Sequence, residues 1–298
     1  MKLKEIKDLT FEDIIWTLRF GKPVRKGTIH DLRVDGFKNI NRPVFFLSTG
    51  RTGTLWFSKL LSLDKHVKVK HKPVPDLAFQ GRFVWEMYVK NNFNLPEEKT
   101  RSLEEIFLSA REQYLRYSFK TNKRYIETNN YITFFAPVIA GLIPDSIFVH
   151  LYRHPGEFAR SAIRRNYYQN NNADDIKRII PVNILPGDRK WEEYSQIEKT
   201  AWLWFETNSF IEEFKSNIPT ERIYTLDINE LNLENVLKLI RFAGISIKIS
   251  KVEKMLKRKA NVQKTGSFKV YNDWGRDQKE ELANICGELS DKYGYKLV

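Results

Sequence analysis

The stretch Arg42 to Leu63, RPVFFLSTGRTGTLWFSKLLSL, limits what this chain can fold into more than any other segment. Val44 to Leu47 form an apolar run without periodicity, the sign of a strand buried on both faces. Leu55, Trp56, Lys59 and Leu60 then follow helical spacing up to Ser62. Between the two lies a Gly-rich turn. In a strand, loop and helix unit of this kind, the loop N–H groups and the helix N-terminus converge on one point and favour an anion there. Gly50 and Gly53 permit close backbone approach, Thr52 and Thr54 add hydroxyl donors, and Arg51 adds a fixed positive charge. Residues Gly50, Arg51, Thr52, Gly53, Thr54 and Leu55 are therefore read as a phosphate cradle.

The rest of the chain repeats the alternation of strand and helix. Thr10 with Asp13 opens a helix to Phe20, and a basic, turn-rich lead-in follows to residue 42. HVKVKHKP places a half-exposed strand before His71, and Pro73 and Pro75 forbid regular structure directly after it. Helices are expected over Ser102 to Phe119, Tyr131 to Leu142, Trp191 to Phe214 and Glu234 to Ala243, with two more near the C-terminus. Strands are expected over Arg124 to Glu127, Ser146 to Tyr152 and Arg222 to Leu226, and a loop over residues 169 to 175. This order implies one α/β domain with a central parallel sheet flanked by helices. Ligands of such sheets bind at the strand carboxyl ends, which sets His71 beside the cradle.

Charge and composition bear on the partner. A net charge of +13 over 298 residues implies an anionic ligand, whether nucleotide, acidic glycan, lipid headgroup or nucleic acid. The 42% hydrophobic content supports a sizeable core. Cys286 is the single cysteine, so neither an internal disulfide nor a cysteine metal site can form. The N-terminus lacks an apolar signal-like core and no apolar run approaches a spanning helix, so the expected location is cytoplasmic.

A second stretch, IFVHLYRHPGEFARSAIRR over 147 to 165, repeats the logic of the first. A strand ends, Arg153 follows at once, Pro155 opens a helix, and Ser161 lies two turns into it. Arg153 and Ser161 could grip a second phosphate.

The cradle departs from a nucleoside-triphosphatase loop, which needs Lys and then Ser or Thr directly after its last Gly; here Thr54 and Leu55 stand there. TGRTGTLW resembles instead the 5′-phosphosulfate loop of PAPS-dependent sulfotransferases, in the style of their bacterial and carbohydrate-modifying members. Arg153, Pro155 and Ser161 are similar in type and spacing to that family's 3′-phosphate site. Residues 222 to 245 resemble the strand, acidic turn and helix of the family, with Asp227 at the acidic position in a structural role. Residues 264 to 295 resemble its C-terminal segment, with Lys264, Gly266 and Lys269 as candidates for a loop that closes over the nucleotide, although the Arg-Lys-Gly of cytosolic members is not reproduced. Trp274 is either a core anchor or an adenine platform.

The resemblance implies a P-loop-like sulfotransferase fold over residues 43 to 298, behind an N-terminal helix and lead-in over 1 to 42. It implies transfer of a sulfuryl group from PAPS, leaving PAP, to a hydroxyl or amine of an acceptor, with no metal. A glycan leads as acceptor, ahead of a lipid or a small phenol; oligomeric state stays open. Arg51 would meet the charge that grows on the leaving phosphate oxygen. The base is to be sought among His71, Asp76 and Glu127, with His71 first. VKHKP is similar to the family's motif at this strand end, but Lys72 stands where many bacterial members carry Glu. A P-loop kinase is the rival enzyme reading, and a nucleic-acid-binding protein the non-enzymatic one, although no nucleic-acid motif supports it.

Overall fold

The computed structural model describes residues 41–169, 175–182, 189–258 and 266–297. The helix expected over 10 to 20, the basic lead-in up to residue 40, residues 170–174 of the expected loop, and Lys264 lie outside them.

The apolar run becomes β1 (Val44–Leu47), buried at every position. It is joined by β2 (Val67–Lys70), β3 (Arg124–Glu127), β4 (Ile147–Tyr152) and β5 (Ile223–Asp227) in the order β2-β3-β1-β4-β5. Every neighbouring pair is parallel, with Val44 opposite Ile126 on one side and Ile147 on the other. The chain leaves β1 to one side for β2 and β3, then crosses to the other for β4 and β5. Strand order thus reverses at β1, and a crevice opens at the carboxyl end of such a strand.

Helices cover both faces: α1 (Thr54–Leu61), α2 (Ala78–Lys90), α3 (Glu97–Thr121), α4 (Ala136–Leu142), α5 (Pro155–Ile163), α6 (Gln196–Ser216), α7 (Leu233–Phe242), α8 (Ile249–Leu256) and α9 (Arg276–Lys292). Successive β1 side chains point to opposite faces. Val44 and Phe46 join a core with Trp56, Phe57, Leu60 and Leu61 of α1 and Val236, Leu239 and Ile240 of α7. Phe45 meets Phe107 of α3 at 6.1 Å between ring centroids, together with Tyr125 and Phe148. Each such buried aromatic ring contributes about 1.5–3 kcal/mol. β1 is accordingly held on both faces, and the loop that leaves it starts from a fixed point.

Several elements differ from expectation for local reasons. α2 was not expected after Pro73 and Pro75. Its buried residues Ala78, Gly81, Val84, Trp85 and Tyr88 keep the helical period, but exposed Phe79 and Phe83 blur the pattern. α3 starts at Glu97 behind Pro96, and Ser102, read as its cap, instead donates to the Glu98 carbonyl within the helix. The helix expected over 131 to 142 begins as a 3-10 segment, Asn130–Phe135, capped by the Asn129 side chain. The helix expected from Trp191 is interrupted, because Ser195 and Glu198 form a capping box that starts α6 afresh. Among the described residues no helix is long and apolar enough to cross a membrane.

Candidate functional site

The loop after β1 turns through left-handed backbone at Gly50 (φ 79°), Arg51 (φ 58°) and Gly53 (φ 77°). Glycine adopts this conformation without strain, whereas at Arg51 it costs about 1–2 kcal/mol. Side-chain contacts hold Arg51 in place. Its Nε donates to Ser161 Oγ at 3.0 Å, and Arg153 Nη1 donates to its carbonyl at 3.0 Å. The two motifs, about a hundred residues apart in sequence, are knitted together at this point. Ser48 N donates to Thr133 Oγ1 and Thr133 Oγ1 donates back to the Ser48 carbonyl, which pins the strand end to the 3-10 segment. A Cβ at Gly50 would lie 3.2 Å from the Asn130 side chain, so the loop runs close beneath that segment.

Gly53 is the N-cap of α1, and no side chain caps the helix. Its first-turn N–H groups, which have no intrahelical partner, are therefore available to a ligand. Two further buried donors lack a partner, Thr52 Oγ1 and Arg153 Nε. Unpaired buried donors are costly, and beside a helix N-terminus they fit an anion. The second helix start differs, because the His154 ring nitrogen accepts from Gly156 N at 3.1 Å and caps α5 itself. At that motif Arg153, not a helix terminus, is the group offered to a ligand. Ser161 Oγ accepts from Arg51, which leaves its own O–H to donate, and Arg153 braces the Arg51 backbone.

Gly50, Arg51, Gly53, Thr54, Leu55, His71 and Arg153 line one cavity of about 700 Å³. Thr52 lies buried beneath it. The lining carries seven Arg and Lys side chains and, among the described residues, no carboxylate. Burial, and then the nearby Arg165, lower Arg51 below the ordinary guanidinium value; burial does the same to Arg153 against the opposing charge of Glu157. Crowded cations of this kind are relieved by an anionic ligand.

The three candidate bases part company. His71 Nδ1 lies 2.7 Å from the Thr128 carbonyl and 3.1 Å from its hydroxyl. A carbonyl only accepts, so Nδ1 carries the proton and Nε2 keeps its lone pair. Burial lowers the His71 pKa below 6.5, opposed by the Thr128 hydrogen bond and reinforced by the charge of Lys72. Lys68 and Lys70 lie over the rings of Tyr117 and Tyr114. Glu127 is fully buried and does not line the cavity. Its two oxygens accept from Arg111 Nε and Nη2 at 2.7 and 2.8 Å, from Tyr125 Oη at 2.8 Å and from Asn129 Nδ2 at 3.0 Å. With its lone pairs so occupied, Glu127 is corrected from a candidate base to a structural anchor. Asp76 is likewise outside the lining; it accepts from Ala78 N at 3.0 Å and caps the start of α2.

At the C-terminal segment neither Gly266 nor Lys269 lines the cavity. The Gly266 carbonyl accepts from Arg164 Nε at 2.9 Å, one residue from the lining Arg165, and a Cβ at Gly266 would strike the Arg164 carbonyl. The Lys269 carbonyl accepts from Trp274 Nε1 at 3.1 Å. Trp274 is buried against Phe268 and Tyr271, a core anchor and not an adenine platform. Lys72, noted above in the VKHKP motif, also lines the cavity, and residues passed over in the sequence complete it: Arg82, Asn130, Tyr131, Arg165, Tyr167, Lys177, Arg178 and Asn229. Arg165 and Tyr167 sit in the basic and aromatic run after Ser161, which could have signalled them; the others carry no local pattern.

In sequence the chain matches no family model and no curated protein. In structure it superposes on the sulfotransferase domain from the curacin biosynthetic pathway with a TM-score of 0.51 at 13% identity, covering 84% of this chain and 97% of that one. The chain has the sulfotransferase fold. A sulfotransferase from Mycobacterium avium aligns with a TM-score of 0.49 at 13% identity over 90% of this chain and 80% of its own. One from Alicyclobacillus acidocaldarius gives 0.48 at 14% identity over 86% and 98%. In the sulfotransferase fold of this chain the cradle, Arg153 and His71 share one cavity at the carboxyl end of the central strand.

Proposed function

We propose that the domain over residues 43–298 transfers a sulfuryl group from PAPS to an acceptor hydroxyl. The observation that supports this reading is the interlock of Arg51, Ser161 and Arg153, with Arg51 and Arg153 lining one cavity. PAPS supplies an activated sulfuryl group on a phosphate leaving group. The α1 N–H groups, Arg51 and the cradle hydroxyls would hold the 5′ end, and Arg153 the 3′-phosphate. Arg51 and the helix N-terminus stabilise charge on the leaving oxygen. His71 Nε2, held in the basic tautomer by Thr128, takes the acceptor proton. Thermal melting with PAP, PAPS and ATP with magnesium tests the assignment. At a hundredfold excess over Kd the bound nucleotide should add about 2.7 kcal/mol to stability. A rise with PAP and PAPS is expected; a rise with ATP and magnesium alone would favour the kinase reading.

Arg153→Ala should weaken PAP binding by ~1.5–3 kcal/mol, the range for a charge-assisted hydrogen bond, and hardly affect adenosine 5′-phosphate, which lacks the 3′ group. Calorimetric titration of both ligands decides it, and equal losses would remove Arg153 from the 3′-phosphate.

The pH dependence follows from His71. Its pKa is lowered by burial and by Lys72, so the neutral ring predominates at neutral pH, and kcat/KM should fall only as pH drops through a value below 6.5. Lys72→Gln removes one cause of that lowering, so the acid limb should move up towards the ordinary value. A limb that does not move would mean that another group titrates.

A further inference from the structure

The segment that leaves β3 connects the candidate base to the cradle. Thr128 holds His71, and Thr133 is locked to Ser48 where the loop begins. Asn129 and Asn130 lie between these two anchors and are used differently. Asn129 is fully buried, and its amide is spent inside the protein. Its Nδ2 donates to the Asp76 carbonyl at 2.9 Å and to Glu127 Oε1 at 3.0 Å, while its Oδ1 accepts from Tyr131 N at 3.1 Å. Asn130 lines the cavity, and among the described residues its side chain has no hydrogen-bond partner. Its position is nonetheless fixed. A Cβ built at Gly50 would lie 3.2 Å from the Asn130 Cγ and 3.3 Å from its Nδ2, so the amide stands directly against the cradle. The backbone around it is held by the Asn129 cap on one side and by the Thr133 bonds to Ser48 on the other.

We infer that Asn130 Nδ2 donates a hydrogen bond to an oxygen of the sulfuryl group during transfer. This rests on the proposed function. In that reaction a bond forms from the acceptor oxygen to sulfur while the bond from sulfur to the 5′-phosphate oxygen breaks. The electron pair of the broken bond stays on the phosphate oxygen, and the acceptor proton passes to His71 Nε2. Acceptor oxygen, sulfur and leaving oxygen stand in line, so the sulfuryl group travels between the cradle at one end and His71 at the other. Asn130 stands on the backbone that ties those two ends together. With neither amide atom committed, it can turn Nδ2 toward the moving group. A neutral amide also suits the task better than a further cation would. Another cation would tighten PAP as well, whereas a donor aimed at the sulfuryl oxygens favours the group that moves over the product that remains.

The test compares PAPS, which carries the sulfuryl group, with PAP, which lacks it, by calorimetric titration of the full chain and of two variants. Asn130→Ala removes the donor, and Asn130→Leu removes it while keeping a side chain of similar size against Gly50. Both should lower PAPS affinity about tenfold or more, the loss of one hydrogen bond to a charged group, and leave PAP affinity within about twofold. Equal losses for the two nucleotides would mean that Asn130 merely props the loop, and would overturn the inference. Unchanged PAPS affinity in either variant would overturn it too, and the proposed function would stand. If the unmodified chain binds neither nucleotide, the proposed function fails and takes the inference with it.

Discussion

His71→Ala should bind PAP as the wild type does and lose ~10²-fold or more in transfer rate, the usual scale for removing acid–base catalysis. The expectation rests on geometry before titration. His71 lines the same cavity as Arg51 and Arg153, and its Nδ1 is committed to the Thr128 carbonyl, which leaves Nε2 as an acceptor. Asp76 and Glu127 make no claim on that role, since one caps α2 and the other is enclosed by Arg111, Tyr125 and Asn129. Single-turnover rates measured alongside PAP affinity separate chemistry from binding. A His71→Ala protein that transfers at the normal rate would mean that the acceptor proton leaves by another path.

Arg111→Ala should destabilise the fold by about 3–5 kcal/mol, because it strands the Glu127 carboxylate inside the protein without its countercharge. Both side chains are fully buried and meet through two parallel hydrogen bonds. Arg111 Nη1 also donates to the Pro75 carbonyl at 2.7 Å, tying α3 to the segment between His71 and α2. The same pair steadies the end of β3, whose next residue, Thr128, orients His71. Replacing both partners with apolar residues, Arg111→Met with Glu127→Leu, should recover part of the loss, since an apolar pair of similar size avoids the buried charge. Denaturant melts of the three variants test this, and an Arg111→Ala protein as stable as wild type would show that the pair carries little.

Much of this arrangement was legible in the chain because it is written locally. The apolar run, the glycines at the two turning points and the amphipathic start of α1 are contiguous, so the strand and its cradle could be bounded from Val44 to Leu55. β3 matched its expected bounds for the same reason, β2 lies before His71 where a strand was expected, and β4 and β5 fell within a residue of theirs. What was not legible depends on partners distant in sequence. Glu127 and His71 both stand at strand ends, and only the fold brings Arg111 of α3 against one and Thr128 against the other. Ser161 could be paired with Arg153 by spacing, but its hydrogen bond to Arg51 needs the β1 and β4 ends side by side. The cavity also joins Arg82 of α2, itself hidden by exposed Phe79 and Phe83, to Lys177, Arg178 and Ile179, and no motif spans that distance.

Acceptor-dependent release of PAP from PAPS tests the central claim most directly. The purified chain should be incubated with PAPS and hydroxylated acids, neutral sugars and phenols, with nucleotide and product resolved by chromatography and mass spectrometry. The expected result is PAP formed in step with a sulfated product, abolished by His71→Ala. PAPS left intact in every mixture, with phosphate moving to the same compounds from ATP and magnesium, would contradict it.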